Sequence, residues 1–237
     1  MVANNKSMKQ LIPIIKHPLD ISEIDAILLQ RNLSGRVIKE DHHKKIRWLA
    51  GVDAAYDEQR NKQFAAAVVF DANSLDFVEF SVAQEDVKFP YIPGLFSFRE
   101  TPAVTKALMK LRTVPDLIVC DGQGIAHPRR FGLACHLGVM FNIPSIGCGK
   151  TRLFGDADEP GPNRGDSSPL IDGSEIIGCV LRTQNKIKPI FVSVGHLISL
   201  KTACDWIIKL TANFRLPETT RQADQLVKRF KKGDLPT

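Results

Sequence analysis

At 237 residues the chain is long enough for one globular domain with a sizeable core and short for two full ones. Its 32 Lys and Arg outnumber 26 Asp and Glu, a formal charge of +6 that favours a polyanionic partner. No run approaches the roughly 20 apolar residues needed to span a bilayer, and the five cysteines form no Cys-x-x-Cys pair, which excludes a membrane span and a disulfide framework. The first apolar stretch, 11–15, is interrupted by Pro13 and makes no signal peptide; free thiols among apolar residues then predict a cytoplasmic protein.

In chain order, residues 19–39 predict an amphipathic helix with Ile21, Ile24, Ile27, Leu28 and Leu33 on its apolar side. His42-His43-Lys44-Lys45 reads as a solvated turn. Strand patterns follow at 47–56, 63–71 and 75–83, and their short polar links predict an antiparallel meander. Then comes Pro90-Tyr91-Ile92-Pro93-Gly94. Each proline fixes its own φ and biases its predecessor towards extended backbone, so the loop is stiff and Tyr91 and Ile92 are expected to face outward. A rigid apolar tip suits a wedge pushed between stacked bases. A turn whose tyrosine packs on the core is the plainer alternative.

A helix should run from this loop to about Arg112, with Val104, Leu108 and Leu111 on one face. Its start is either a capping box, Ser97-x-x-Glu100, or Thr101 followed by Pro102 at the first helical position. Residues 116–121 predict a short buried strand, 131–142 a helix buried all round, and 144–148 another strand. That order implies parallel pairing through a right-handed crossover. Residues 155–173, rich in Pro, Gly, Asp and Ser, read as a surface loop. Strands at 175–182 and 189–194 then lead into helices across 199–212 and 219–232. The expected fold is one α/β domain over 1–237, a mixed sheet with helices on both faces.

Asp53 interrupts an apolar strand, where an unpaired carboxylate is costly and must be neutralised, paired or bound to a cation. Asp121 ends another buried strand and precedes Gly122, Gln123 and Gly124. Ligands of open α/β sheets gather at the carboxyl ends of strands, so neighbouring strands would bring both acids to one crevice. Carboxylates there could hold Mg²⁺ with waters and a substrate phosphate. Each acid keeps a plainer reading. Asp53 could pair with a buried Arg or Lys, Asp121 could bond turn amides, and Glu100 could cap its helix. Asp224, at the edge of the face made by Ala223, Leu226, Val227 and Phe230, could pair with Lys228 one turn on.

The chain resembles the endonuclease V family in Ala50-Gly51-Val52-Asp53, Pro90 to Gly94, Ser97-Phe98-Arg99-Glu100, Asp121-Gly122-Gln123-Gly124, Ala126-His127-Pro128-Arg129, Pro144-Ser145-Ile146-Gly147, Gly195-His196 and Leu216 to Arg221. The resemblance implies a ribonuclease-H-like fold and Mg²⁺-dependent cleavage of the second phosphodiester 3′ to inosine, with Mn²⁺ as a substitute. It makes Asp53, Glu100, Asp121 and Asp224 the metal-binding acids and Lys150 a lysine near the scissile phosphate. Tyr91 and Ile92 become the wedge, Gly94 and Gly122 to Gly124 line a pocket for the extruded base, and His127 and Arg129 lie near the nucleic acid. His196 is placed near the site without a chemical role, and His136 reads as a core histidine. The expected partner is inosine-containing nucleic acid, DNA rather than RNA, acted on by a monomer with no membrane contact. The rivals are an inosine-specific endoribonuclease, a nuclease for other structured duplexes, and a non-catalytic nucleic-acid-binding module.

Overall fold

A computed structural model describes residues 10–18, 20–42 and 45–235 of the chain. His43 and Lys44 of the expected basic turn, and Leu19, lie outside them. Helix α1 (Glu23–Ser34) starts where the Ser22 hydroxyl accepts the Asp25 amide. It is shorter than the periodicity predicts and buries the expected side only in part, with Leu33 buried and Ile21 and Ile27 half-buried against the core. Ala26, Gln30 and Leu33 face inward, while Ile24 and Leu28 of the expected apolar face are exposed.

The expected meander forms from β1 (Trp48–Asp57), β2 (Lys62–Asp71) and β3 (Phe77–Asp86), each antiparallel to the one before. Helix α2 (Phe96–Lys110) leads to β4 (Leu117–Cys120), and α3 (Leu133–Phe141) connects that strand to β5 (Ser145–Gly149). β4 lies parallel to β1 and to β5, as the strand–helix–strand order implies. β6 (Ser167–Asp172), β7 (Glu175–Leu181) and β8 (Ile190–His196) complete the sheet, followed by α4 (Leu200–Leu210) and α5 (Glu218–Lys232). The eight strands lie in the order β3-β2-β1-β4-β5-β8-β7-β6, with β8 antiparallel to β5.

Alternating side chains along the central strands feed two cores. Ala50, Val52, Ile118 and Cys120 pack with Val104 and Leu108 of α2 and Leu137 of α3. On the other face Leu49, Leu117, Val119 and Ile146 pack with Ile207 of α4 and with Ala223 and Val227 of α5. The architecture is the ribonuclease-H-like mixed α/β sheet with helices on both faces. All five cysteines are free thiols.

Two further local expectations fail. The 155–173 stretch is not loop throughout, because β6 occupies its end as an edge strand. Pro169 is tolerated there since one flank of an edge strand needs no ladder donor. Helix α2 uses neither expected start. Leu95 precedes it without a side-chain cap, and Pro102 lies inside the helix. The Ser97 hydroxyl instead meets His136 Nδ1 at 3.1 Å, so Glu100 is released from capping.

Candidate active site

The carboxyl ends of β1, β4 and β5 open on one crevice. Val52 pairs with Cys120 and Cys120 with Gly147, so Asp53 and Asp121 leave adjacent parallel strands at nearly the same level. Asp53 shares its strand parity with Leu49 and Gly51, which face α5. A Cβ on Gly51 would sit 2.3 Å from the Thr219 backbone, so only glycine lets α5 approach β1 this closely. That approach carries Asp224 to the crevice. Glu100, buried at 4 % exposure, arrives from α2 on the opposite face.

These acids act on one another. Burial raises the Asp53 carboxyl to about 8, and the charges of Asp121 and then Asp224 add to the effect. Burial likewise pushes Glu100 well above the usual carboxylate range, reinforced by Asp53 and Asp121. Lys150 follows β5 and forms an ion pair with Asp121. Burial opposes its ammonium, but the hydrogen bond and charge of Asp121 outweigh that and raise its pKa. Asp224 takes the expected partner as well, with Lys228 Nζ at 2.7 Å.

Among the described residues no three His, Cys, Asp or Glu side chains close into a compact metal-binding group. Lys150 draws Asp121 and Lys228 draws Asp224, whereas Asp53 and Glu100 have no ion pair among the described residues. An all-oxygen donor set with unbalanced like charge suits a hard divalent cation. Among these four acids the residues fit such an ion by chemistry and charge.

The loop expected to carry a wedge stands beside the acids. Tyr91 is 65 % exposed and meets Phe96 edge-on, with ring centroids 6.1 Å apart. Ile92 departs from expectation: it is half-buried and packs on Phe89, Leu95 and Phe98. Tyr91, Phe96 and Asp121 border two adjoining recesses. One holds Asp53, Glu100 and Tyr56. The other, about 360 Å³, is bounded by Gly94, Gly122, Gln123, His127 and Lys150, a volume suited to a small ligand.

Gly124 does not border that cavity; its amide donates to Ser193 Oγ at 2.8 Å behind the loop. His127 is buried, its Nδ1 accepts the Arg129 amide at 3.1 Å, and burial followed by the Arg129 charge lowers its pKa to about 4. Arg129 turns inward, with Nη2 donating to the Gly94 carbonyl at 2.7 Å. His136 is a core histidine, 1 % exposed and 2.6 Å from His17 Nε2.

His196 is not near the site. It pairs with Ser145 at the start of β5, the end of the sheet away from Lys150. From Ser145 to Lys150 that separation is roughly 16 Å at about 3.3 Å per residue. Its ring instead accepts the Ile38 amide at 3.2 Å and meets Asn142 at 3.3 Å.

Sequence reasoning gave no role to Arg99, the neighbour of Glu100. Its guanidinium lies 4.4 Å over the Tyr56 ring and pairs with Glu58 at 2.8 Å, walling the acidic recess. Arg215 was also missed: it donates to the carbonyls of Lys150 and Pro189, both at 2.9 Å, and so fixes the backbone of Lys150. A buried arginine in a motif could have signalled the first; nothing local signalled the second.

The sequence model of the endonuclease V family matches residues 31–225. An endonuclease V of Rippkaea orientalis is 49 % identical over 202 residues, which cover 85 % of this chain and 88 % of that one. The crystal structure of an endonuclease V from Streptomyces avermitilis superposes with a TM-score of 0.87 at 45 % identity, covering 95 % of this chain and 99 % of that one. An endonuclease V from Ciona intestinalis, in complex with a 24mer DNA containing an inosine, shares the fold with a TM-score of 0.77 at 24 % identity and coverage of 90 % and 98 %.

Proposed function

The chain belongs to the endonuclease V family and is a phosphodiester-hydrolysing endonuclease, and on that premise we propose that it nicks inosine-containing DNA with Mg²⁺. The scissile bond is the second phosphodiester 3′ to hypoxanthine, and the purpose is repair of deaminated adenine. The reading rests above all on the shared crevice, where Asp53 is raised to about 8 by burial and by two neighbouring carboxylates. It stands beside an exposed aromatic and a cavity of about 360 Å³.

In this reading Asp53, Glu100, Asp121 and Asp224 hold the cation. A bound divalent ion would activate water and offset charge on the leaving oxygen. Lys150 holds the adjacent phosphate, and Arg215 keeps the backbone of that lysine in place. Tyr91 fills the gap left by the extruded base. The base enters the recess bordered by Gly94, Gly122 and His127, where backbone groups can meet its edge. His127 is neutral there at physiological pH, so it serves as a polar wall and not as a charge. The reading makes the protein a cytoplasmic monomer, one nuclease domain with a site complete within a single chain.

Matched DNA and RNA oligonucleotides bearing one inosine, with inosine-free controls, test the reading in titrations of Mg²⁺ and Mn²⁺. Metal-dependent nicking of the inosine DNA at the second 3′ phosphodiester is expected, with Asp53→Ala and Asp121→Ala inactive yet still binding the strand. Preferential cleavage of the RNA would move the function to the endoribonuclease reading. Near-normal turnover by either variant would overturn the assignment of the acids.

A further inference from the structure

Gln30 stands one residue before the stretch matched by the family model, on α1, and the functional reading leaves it unused. It is fully buried. Its carboxamide makes three bonds to segments far away in sequence. Nε2 donates to the Gly94 carbonyl at 3.0 Å and to the Phe131 carbonyl at 2.7 Å, while Oε1 accepts from Arg129 Nε. Both donors and the acceptor are therefore in use. Arg129 Nη2 closes the circuit by donating to the same Gly94 carbonyl.

Gly94 is where the wedge loop turns into α2, at a φ of +80°. A Cβ there would meet Arg129 Nη2 at 2.6 Å, so the clamp closes tightly around the glycine. On the other side of the loop Ile92 rests on the cluster of Phe89, Leu95 and Phe98, to which α1 contributes Ala26 and Ile27. The two prolines set the local shape of the loop, but they do not fasten it to the protein. A wedge that yields on contact separates no bases. Beside Arg129 and the cluster under Ile92, it is α1, through Gln30, that ties the base of the Tyr91 loop to the body.

We propose that Gln30 is a positioning residue for base extrusion, locking the Gly94 carbonyl so that the Tyr91 tip holds against a stacked duplex. The proposal rests on the wedge reading of Tyr91. Removing the carboxamide takes the Gln30 donor from the Phe131 carbonyl, leaves the Gly94 carbonyl with Arg129 alone, and deprives Arg129 Nε of its acceptor, so the loop can then give way.

The test uses the full chain and one inosine-bearing strand, presented alone and paired in a duplex, because unstacking against a partner strand arises only in the duplex. Gln30→Met should lower kcat/KM on the duplex roughly tenfold more than on the single strand, the order of effect of losing the buried Gln30 bonds at the clamp. A variant that merely folds less well loses active molecules alike on both substrates and leaves the ratio unchanged. Gln30→Asn, one methylene too short to span Gly94 and Phe131 together, should move the ratio the same way and serves if Gln30→Met does not fold. Tyr91→Ala is measured alongside. If it shifts the ratio and folded Gln30 variants do not, the role of Gln30 is overturned. If Tyr91→Ala leaves the ratio unchanged, the wedge reading falls and the proposal with it.

Discussion

Tyr91 concentrates the argument at the scale of one residue. It is 65 % exposed and touches Phe96 only by its edge, so the fold does not depend on it. Tyr91→Ala should change stability by less than about 0.5 kcal/mol, as for surface positions away from special features, while narrowing the preference for inosine over adenosine strands. Competitive cleavage checks this, and an unchanged preference would exclude the wedge. His196 offers a prediction about acid. Burial lowers its pKa to about 4 from an ordinary 6.5. The unfolded ring therefore takes up its proton at a higher pH than the folded one. The stability it contributes is complete above pH 6.5 and is lost as the pH falls towards 4. His196→Gln should flatten the loss of stability between pH 7 and 5, read from urea midpoints. Equal acid sensitivity in both proteins would contradict it. Both histidines of the family motifs were visible in the sequence. Only the register of β8 separates His127, at the cavity, from His196, at the far end of the sheet.

Among elements, α5 and α2 bring acids from opposite faces, and each does so for a reason the other lacks. Contact between α5 and β1 requires the bare backbone of Gly51, against which Thr219 is seated. Gly51→Ala should cost about 1–3 kcal/mol, the usual penalty of overpacking, and should also depress cleavage per folded molecule because Asp224 rides on the displaced helix. Urea denaturation and single-turnover kinetics separate the two effects; full activity in the folded variant would show that α5 need not sit so close. In α2, the spacing Ser97-x-x-Glu100 matched a capping box, yet Ser97 faces His136 and Glu100 faces Asp53. The pattern was real, but long-range partners outcompeted the local bond. α1 misled in the same manner: its apolar residues Ile24 and Leu28 are exposed while the polar Gln30 is fully buried. A buried glutamine follows from partners on distant loops, which periodicity does not describe.

For the whole molecule, a charge of +6 coexists with a carboxylate-rich crevice. A polyanion must then be held mainly by lysines and arginines around the acids, among them Lys150 and Arg152 beside the cavity. Binding of an uncleavable inosine strand should weaken linearly on a log–log plot as salt rises, through release of counterions. Affinity independent of salt would count against phosphate contacts as the main hold. No helix among the described residues is long and apolar enough to cross a membrane, in line with the absence of an apolar run of that length.

Most elements of this chain are determined by short-range rules: alternation made the meander, apolar runs made β4 and β5, and the prolines around Tyr91 made a stiff exposed tip. Those rules act over a few residues and decide which side of an element is buried, never against what. The meeting of Asp53, Glu100, Asp121 and Asp224 was read from family likeness, and in space it depends on contacts between segments far apart in the chain. So do the antiparallel seat of β8, the remoteness of His196 and the clamp at Gly94. Packing decided them, because the free energy of such contacts depends on which surfaces meet, and only the closed tertiary structure specifies that.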